Sequence, residues 1–543
     1  MQQYKPGDRI GGEYAVLKVF GGENESGMGV VYLVHNREVP KPIVLKTFQH
    51  SESEDAKRQF ISEAHAWIKA GAHTNIIQAY WVREIAGQLF VAAEYVEPDE
   101  QGRNSLTHFL NVGSLRPEII LLWAIQFCRG MDFARSRGVL AHRDIKPDNL
   151  MIDGTANLKI TDFGLAKSTD LESTPKKNGW WFFGRKQSVK TIAKTKTGLA
   201  VGTLPYMAPE QFIDAKSVDH RSDIYSFGII LYQMVTGNQY PYRIESGSQD
   251  IGFEFFQAHS TQRPFEVESP LMPVISRCLE KNPGRRYSTY DSFLADLGNV
   301  AQKLGMKLPP VVHVAKEDEE LYAKAQSYVA LGDKDRALRA IDAYVSKYPD
   351  NACGWTEKGK IHFERDEYLQ GVEATKRSLD LNPYNSHAWN NLGIGLNHTK
   401  ASFAEIREAF FHALHLDPDN TAAMTNLIGP LVVQKKFREA ATLTARALKL
   451  RPDKPLVIAK ANALLNEFMD GRDFVAAKIL LTGWTAARPA DVDAWHNLGL
   501  MSLQEGNLNQ AIACFKQVHQ LAPDDNFAIA QLGELYERLG RRS

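Results

Sequence analysis

The sequence predicts an α+β domain followed by an all-α solenoid of helical repeats. Three observations carry that prediction. The chain has 543 residues, too many for one hydrophobic core and enough for two or three domains. The N-terminal half mixes apolar strand-like runs such as Pro42-Ile43-Val44-Leu45 and Val91-Ala92-Ala93 with helix-period segments. From Asp318 onward a period of about 34 residues replaces the mixture, the mark of a stacked array.

Taken in chain order, Pro42–Lys46 is an apolar strand whose pattern ends in a single Lys, and Phe60-Ile61-Ser62-Glu63-Ala64 lies on a helix-period segment with Arg58 and His65. Val91–Val96 reads as a further strand. The densest cluster of chemistry is His142-Arg143-Asp144-Ile145-Lys146-Pro147-Asp148-Asn149, followed after a short strand-like run by Asp162-Phe163-Gly164. Two acids, an Asn and a Lys at that spacing are what phosphoryl transfer from metal-bound ATP requires. Further on come Gly202-Thr203-Leu204-Pro205-Tyr206-Met207-Ala208-Pro209-Glu210, then Ser222-Asp223-Ile224-Tyr225 and Asn282-Pro283-Gly284-Arg285-Arg286.

These motifs resemble those of eukaryotic-like (Hanks-type) bacterial serine/threonine protein kinases, over about Tyr14 to Leu304. The resemblance implies a two-lobed α+β kinase fold over residues 1–304, with an N-lobe at about 10–95 and a C-lobe at about 96–304. It implies ATP and Mg2+ as cofactors. Asp144 is the expected base, Asn149 and Asp162 the metal ligands, and Lys146 the cation that neutralises the transferring phosphate. Lys46 is expected to grip the α- and β-phosphates and to pair with Glu63. Gly27, Gly29 and Val31 stand for the phosphate-covering loop, although Asn24 and Ser26 occupy the first two glycine positions. The glycine loop is either irregular or carries a short insertion. Ala93 takes the gatekeeper position, and the backbones of Glu94 and Val96 face the adenine edge. A small Ala there implies an enlarged rear pocket, unless it is only an apolar strand residue. Thr203 is expected to bond Asp144 and Lys146, Glu210 to pair with Arg286, and Asp223 to brace the catalytic loop.

Glu210 lies 48 positions after Asp162, a segment roughly twenty longer than the family needs. Residues 167–197 hold eight Lys/Arg against two acids. At their centre, residues 176–186 set Trp180-Trp181-Phe182-Phe183 between basic pairs. Such aromatics either dock on the protein itself or insert at an anionic membrane surface or partner. Thr195 and Thr197 match the phosphorylated pair of the bacterial relatives, and Arg143 is the cation that a phosphothreonine would reach.

In the second half Pro349, Pro383, Pro418, Pro452, Pro489 and Pro523 recur. Ala388-Trp389-Asn390-Asn391-Leu392-Gly393 nearly repeats as Ala494-Trp495-His496-Asn497-Leu498-Gly499. These units resemble tetratricopeptide repeats. Residues 305–317 read as a linker, and residues 318–543 as six repeats plus a solvating cap helix from Asn526. Gly332, Gly359, Gly393, Gly471, Gly499, Gly506 and Gly533 are expected at helix starts or turns, and Ala337, Ala440 and Ala511 where helices cross closely. Asn391, Asn426 and Asn497 occupy equivalent positions and are candidates to bond an extended peptide in the groove. The basic pairs with which some members clamp a C-terminal carboxylate are not matched.

Balanced charge, 64 basic against 64 acidic residues with a pI near 7.3, gives no reason to expect nucleic acid as a partner. Four scattered cysteines read as free thiols of a reducing compartment. Neither a signal region nor an apolar run of about 18 residues is present, so the expected location is cytoplasmic. The expected function is an ATP- and Mg2+-dependent serine/threonine kinase whose activation loop is autophosphorylated and whose repeats recruit a protein substrate or regulator. A pseudokinase scaffold is the alternative, and a kinase for small molecules or lipids is disfavoured by the segment at Thr203. The sequence is silent on the oligomeric state.

Overall fold

The structure is a computed structural model. It describes residues 3–20, 30–36, 39–47, 61, 64–65, 67–68, 70–71, 73–99, 101–111, 115–163, 167–168, 203–214, 218–244, 251–309, 321–322, 325, 328–329, 333–471 and 473–540. Gly27, Gly29, Glu63, Thr195, Thr197, Gly332, the 176–186 run and most of the 305–317 linker lie outside the described residues. The chain divides into two compact units, one of Met1–Asp366 with Arg377–Tyr384, the other of Glu367–Lys376 with Asn385–Ser543. The first unit therefore continues past the linker into the helices Lys334–Lys347 and Ala352–Glu364.

The first unit opens with strands β1 (Arg9–Ile10), β2 (Tyr14–Phe20), β3 (Val30–Asn36), β4 (Val39–Thr47), β5 (Ala79–Ile85) and β6 (Gln88–Glu94). They form one antiparallel sheet in the order β1-β2-β3-β4-β6-β5. Strand alternation sends Ile10, Tyr14, Val16, Tyr32, Val34, Ile43, Leu45, Phe90 and Ala92 into one buried cluster. Val31, Lys46, Val91 and Ala93 take the opposite face by the same alternation. In register, Lys46 lies between Val31 of β3 and Val91 of β6.

A helical lobe follows. Helix Pro117–Ser136 is apolar nearly all round and accordingly sits in the core, where Phe127 stacks on Phe227 with centroids 3.8 Å apart. Phe227 belongs to helix His220–Thr236, capped by Asp219 at its start and by left-handed Gly237 at its end. Burial of Ser222 through Met234 explains this apolar run without a membrane, and among the described residues no helix is long and apolar enough to cross one. Short strands β7 (Val139–Ala141), β8 (Leu150–Ile152), β9 (Leu158–Ile160) and β10 (Lys167–Ser168) carry the loops between these layers. All four cysteines are free thiols.

The second unit stacks helices Ser386–His398 and Phe403–Leu416, Thr421–Val433 and Phe437–Leu450, Pro455–Asp470 and Phe474–Ala487, Val492–Gln504 and Leu508–Leu521, then Asn526–Gly540. Each second helix stops two residues before its Pro, because the residue preceding Pro is pushed out of helical backbone. Ala337, Ala440 and Ala511 are fully buried. Gly471 closes a helix and Gly506 turns the chain at φ +74°, but Gly359, Gly393 and Gly499 lie inside helices. Gly393 and Gly499 lie mid-helix with no room for a Cβ, which would meet Phe410 at 2.7 Å and Phe515 at 2.9 Å. They are sockets for an aromatic ring from the next helix, and Gly354 is the same for Tyr344. The last helix buries Ala528 and Leu535 against the preceding repeat. It carries the Glu534–Arg538 pair but leaves Phe527, Ile529 and Tyr536 exposed, and Gly533 has nothing within 4 Å.

Gly499→Ala should cost about 1–3 kcal/mol by forcing Phe515 aside. Gly533→Ala, at the matching open position, should gain roughly 1 kcal/mol of helix propensity. Melting temperatures of the two variants should move in opposite directions.

Candidate active site

The loop after β7 is held from below. Asp223, buried in helix His220–Thr236, accepts from the amides of His142 and Arg143, each at 2.8 Å. Arg143 follows with φ +71°, a left-handed conformation that a non-glycine residue adopts only when its surroundings enforce it. Burial pushes Asp223 up to about 7, against the pull of the two amides and of Arg143. Gln211 adds a bond from its Nε2 to the Arg143 carbonyl at 3.0 Å. Arg143 is not an isolated cation. Burial lowers it, while the carboxylates of Asp223 and Asp214 act in the opposite sense.

Asp144, only 4% exposed, gathers the loop's functional groups. Its Oδ2 accepts from Lys146 Nζ at 2.9 Å and Asn149 Nδ2 at 3.1 Å, and its Oδ1 from Thr203 Oγ1 at 3.1 Å. Asn149 Nδ2 also donates to the Asp144 carbonyl at 2.7 Å, which spends the amide's donor and leaves its oxygen as the group available to a cation. β9 leads into Asp162, whose φ of +64° turns the chain sharply. Asp162 Oδ2 meets Lys46 Nζ at 2.6 Å. Burial alone would raise Asp162, but Lys46, His142 and Lys146 outweigh it and hold the carboxylate below its usual range. A carboxylate and an amide oxygen are hard donors of the kind Mg2+ takes. Phe163 is fully buried against the His142 ring. His142 donates from Nε2 to the Thr161 carbonyl at 2.9 Å, and burial lowers its proton affinity from the ordinary imidazole value.

On the sheet side, Ala93 is fully buried between Val44 and Ala79 in register. The Val96 carbonyl accepts from Asn104 Nδ2 at 2.9 Å. The Glu94 side chain turns the other way and takes Lys159 Nζ at 2.9 and 3.2 Å. Sequence reasoning gave no role to Lys159, His142 or Gln211. Lys159 reads as an ordinary strand Lys, and only the fold brings it to Glu94.

The segment Thr203–Glu210 is anchored at its far end. Arg286 Nη1 and Nη2 reach Glu210 Oε1 and Oε2 at 2.6 and 2.9 Å, and its remaining bonds go to the carbonyls of Glu280, Arg221 and Lys281. That saturation is how a fully buried guanidinium is tolerated. Behind the segment, Tyr240 donates to the Pro205 carbonyl at 2.8 Å and also bonds His259 Nε2, while Tyr225 bonds His259 Nδ1 at 3.1 Å.

A lysine thus stands against an aspartate, beside a second aspartate with Lys, Asn and Thr on its two oxygens, where the sheet meets the helices. Family comparison agrees: the protein kinase domain matches residues 23–296, and tetratricopeptide repeats match 322–386 and 492–525. The chain belongs to the protein kinase family. It is similar to serine/threonine-protein kinase PrkC of Bacillus subtilis, 31% identical over 356 residues, 64% of this chain and 49% of that protein. It is also similar to a probable serine/threonine-protein kinase of Clostridium acetobutylicum, 31% over 285 residues, 51% of this chain and 39% of that one. With serine/threonine-protein kinase PknB of Mycobacterium leprae the identity is 27% over 294 residues, 53% of this chain and 43% of that one. The chain thus spans about half or less of these relatives.

Burial, aided by the Lys281 ammonium, pulls His259 down to about 3, so it is neutral in the folded protein. Below its ordinary value near 6.5 the unfolded chain gains a proton that the folded one refuses. Stability should therefore be lost as pH falls from about 6.5 toward 3, by roughly 1.4 kcal/mol per unit from this group. Denaturant titrations across that range should show the slope, and His259→Gln should remove that share.

Proposed function

We propose that this chain is a serine/threonine protein kinase that transfers the γ-phosphoryl group of ATP to a protein hydroxyl, with its repeats recruiting the substrate or a regulator. The carrying observation is the Asp144 carboxylate with Lys146 and Asn149 on one oxygen and Thr203 on the other. Bound ATP with Mg2+ would supply the phosphoryl group and the divalent charge that offsets its oxygens. Asn149 and Asp162 are the residues that would hold the cation. Lys46, already beside Asp162, is placed to reach the phosphates. Asp144 accepts the hydroxyl's hydrogen bond and orients it, and Lys146 offsets negative charge next to it. The Glu94 and Val96 backbones are the proposed adenine contacts, with Val31 above the ring. Because both Lys46 and Asp162 are present and paired, the active reading is favoured over a pseudokinase scaffold.

Transfer of radiolabel from ATP to a generic basic protein tests this reading. Asp144→Asn and Asp162→Ala should each lower turnover by a factor on the order of 10² or more while leaving the melting temperature nearly unchanged. Full activity in Asp162→Ala would remove the assignment. Mass spectrometry of the same wild-type reaction should find phosphate on Thr195 or Thr197. Its absence from both would exclude loop autophosphorylation.

For recruitment, Asn426 is already engaged, its Nδ2 donating to Asn390 Oδ1 at 3.1 Å. Asn391 and Asn497 are the remaining candidates. Asn391→Ala/Asn497→Ala should raise KM for the native substrate and leave that for the generic one unchanged. Equal changes in both would sink groove recruitment.

A further inference from the structure

A chain of polar contacts connects the helical repeats to the strand end proposed to face adenine. It runs through the turn between β8 and β9, within the first compact unit. Asp153 Oδ1 organises that turn, accepting from Thr155 N at 2.8 Å, Thr155 Oγ1 at 2.7 Å and Asn157 N at 3.0 Å. One side of the turn is fixed to helix Pro117–Ser136. There Trp123 Nε1 donates to the Ala156 carbonyl at 3.0 Å, and Gln126 Nε2 to Asn157 Oδ1 at 2.7 Å. Its other side is met by Cys353, near the start of helix Ala352–Glu364. The thiol sulfur accepts from Asn157 Nδ2 at 3.0 Å and lies 3.5 Å from Thr155 Oγ1. The turn is clamped between the kinase core and a helix of the repeat region.

What leaves the turn is Lys159. It stands two residues after Asn157 on β9, mostly buried, and both oxygens of Glu94 take its ammonium. Glu94 also receives the Gln78 amide on Oε2 at 3.3 Å and gives its own amide to the Gln78 carbonyl at 2.9 Å. Its backbone cannot shift without disturbing the Lys159 pair. Asp153 lies within electrostatic reach of Lys159 as well, so the ammonium sits between an acid on the turn and an acid at the lobe junction. Three residues beyond Lys159 comes Asp162, the partner of Lys46.

We propose that Lys159 is a positioning residue of the nucleotide site, and that through it the packing of Cys353 on the β8–β9 turn sets ATP affinity. Displacement of helix Ala352–Glu364 would move Asn157, then Lys159, then the Glu94 backbone. Ligands or partners that strain this helix would thereby be read as a change in nucleotide binding. The inference rests on the kinase reading above, specifically on adenine meeting the Glu94 backbone.

The test measures dissociation constants of Mg2+–ATP by calorimetry on the full chain, together with KM for ATP and kcat. Lys159→Met keeps the stem and removes the charge; it should weaken ATP binding about tenfold, the scale of one lost hydrogen bond to a charged group. The change in KM for ATP should exceed that in kcat, and Lys159→Arg should restore most of it. Cys353→Phe, which wedges the turn, should weaken ATP binding in the wild-type background and have little further effect once Lys159 is Met. A merely structural Lys159 would lower the melting temperature and leave the ATP constants alone, which overturns the proposal, as does full additivity of the two changes. Wild type that binds no ATP would remove the kinase reading itself. An ATP affinity that is measurable in wild type and unchanged by both substitutions would remove this inference only.

Discussion

Asp223 accepts two backbone amides from the loop that carries Asp144, Lys146 and Asn149, and the placing of these three depends on that grip. A carboxylate this deep loses its hydration, and burial pushes its proton affinity upward. Two amides at 2.8 Å make up part of the loss. In return the loop can hold Arg143 at a positive φ, which turns Asp144 toward Lys146, Asn149 and Thr203. Because the anchor lies in the first turn of a buried helix, Asp144 inherits the rigidity of the core.

The same logic, a buried charge kept by complete satisfaction, fixes the far end of the segment that carries Thr203. Arg286 has no exposed surface, stacks over the Tyr225 ring with its guanidinium carbon 4.7 Å from the centroid, and directs its donors to Glu210 and three carbonyls. Removal of either partner would strand the other in an apolar setting at a cost of about 3–5 kcal/mol. The pair is therefore best understood as a fixture of position, with Thr203 at one end of the segment and Glu210 at the other.

The repeats solve a different problem with uncharged parts. Each helix pair must approach closely, so alanines occupy the crossings and glycines receive the rings of Phe410, Phe515 and Tyr344. N-caps by Asn351, Asn385, Asn420, Asp473 and Asp491 satisfy the amides at the helix starts. Asn420 has a cost attached. Its Nδ2 is buried without a partner, whereas Asn351 at the matching place donates to the Tyr344 hydroxyl. Ala413 stands where that tyrosine would be needed, which accounts for the orphan.

Local pattern alone determined the class of the fold, the phosphoryl-transfer motif and the repeat period, because each is written in consecutive residues or a fixed spacing. The partnerships of Glu210 with Arg286 and of Asp223 with the catalytic loop were also legible, since a buried carboxylate demands a donor and the family motif says where to look. Three things were decided only by tertiary structure. The mid-helix glycines looked like turn residues, because a sequence does not display the ring that will press on them. Asn426 carried no sign of a partner in the sequence, yet its Nδ2 donates to Asn390 of the preceding repeat. Lys159 carried no signal of its own in the sequence, and only the fold buries it against Glu94. Spacing along the chain specifies which groups one element presents, but a contact across 65 residues exists only once the core has brought two elements together.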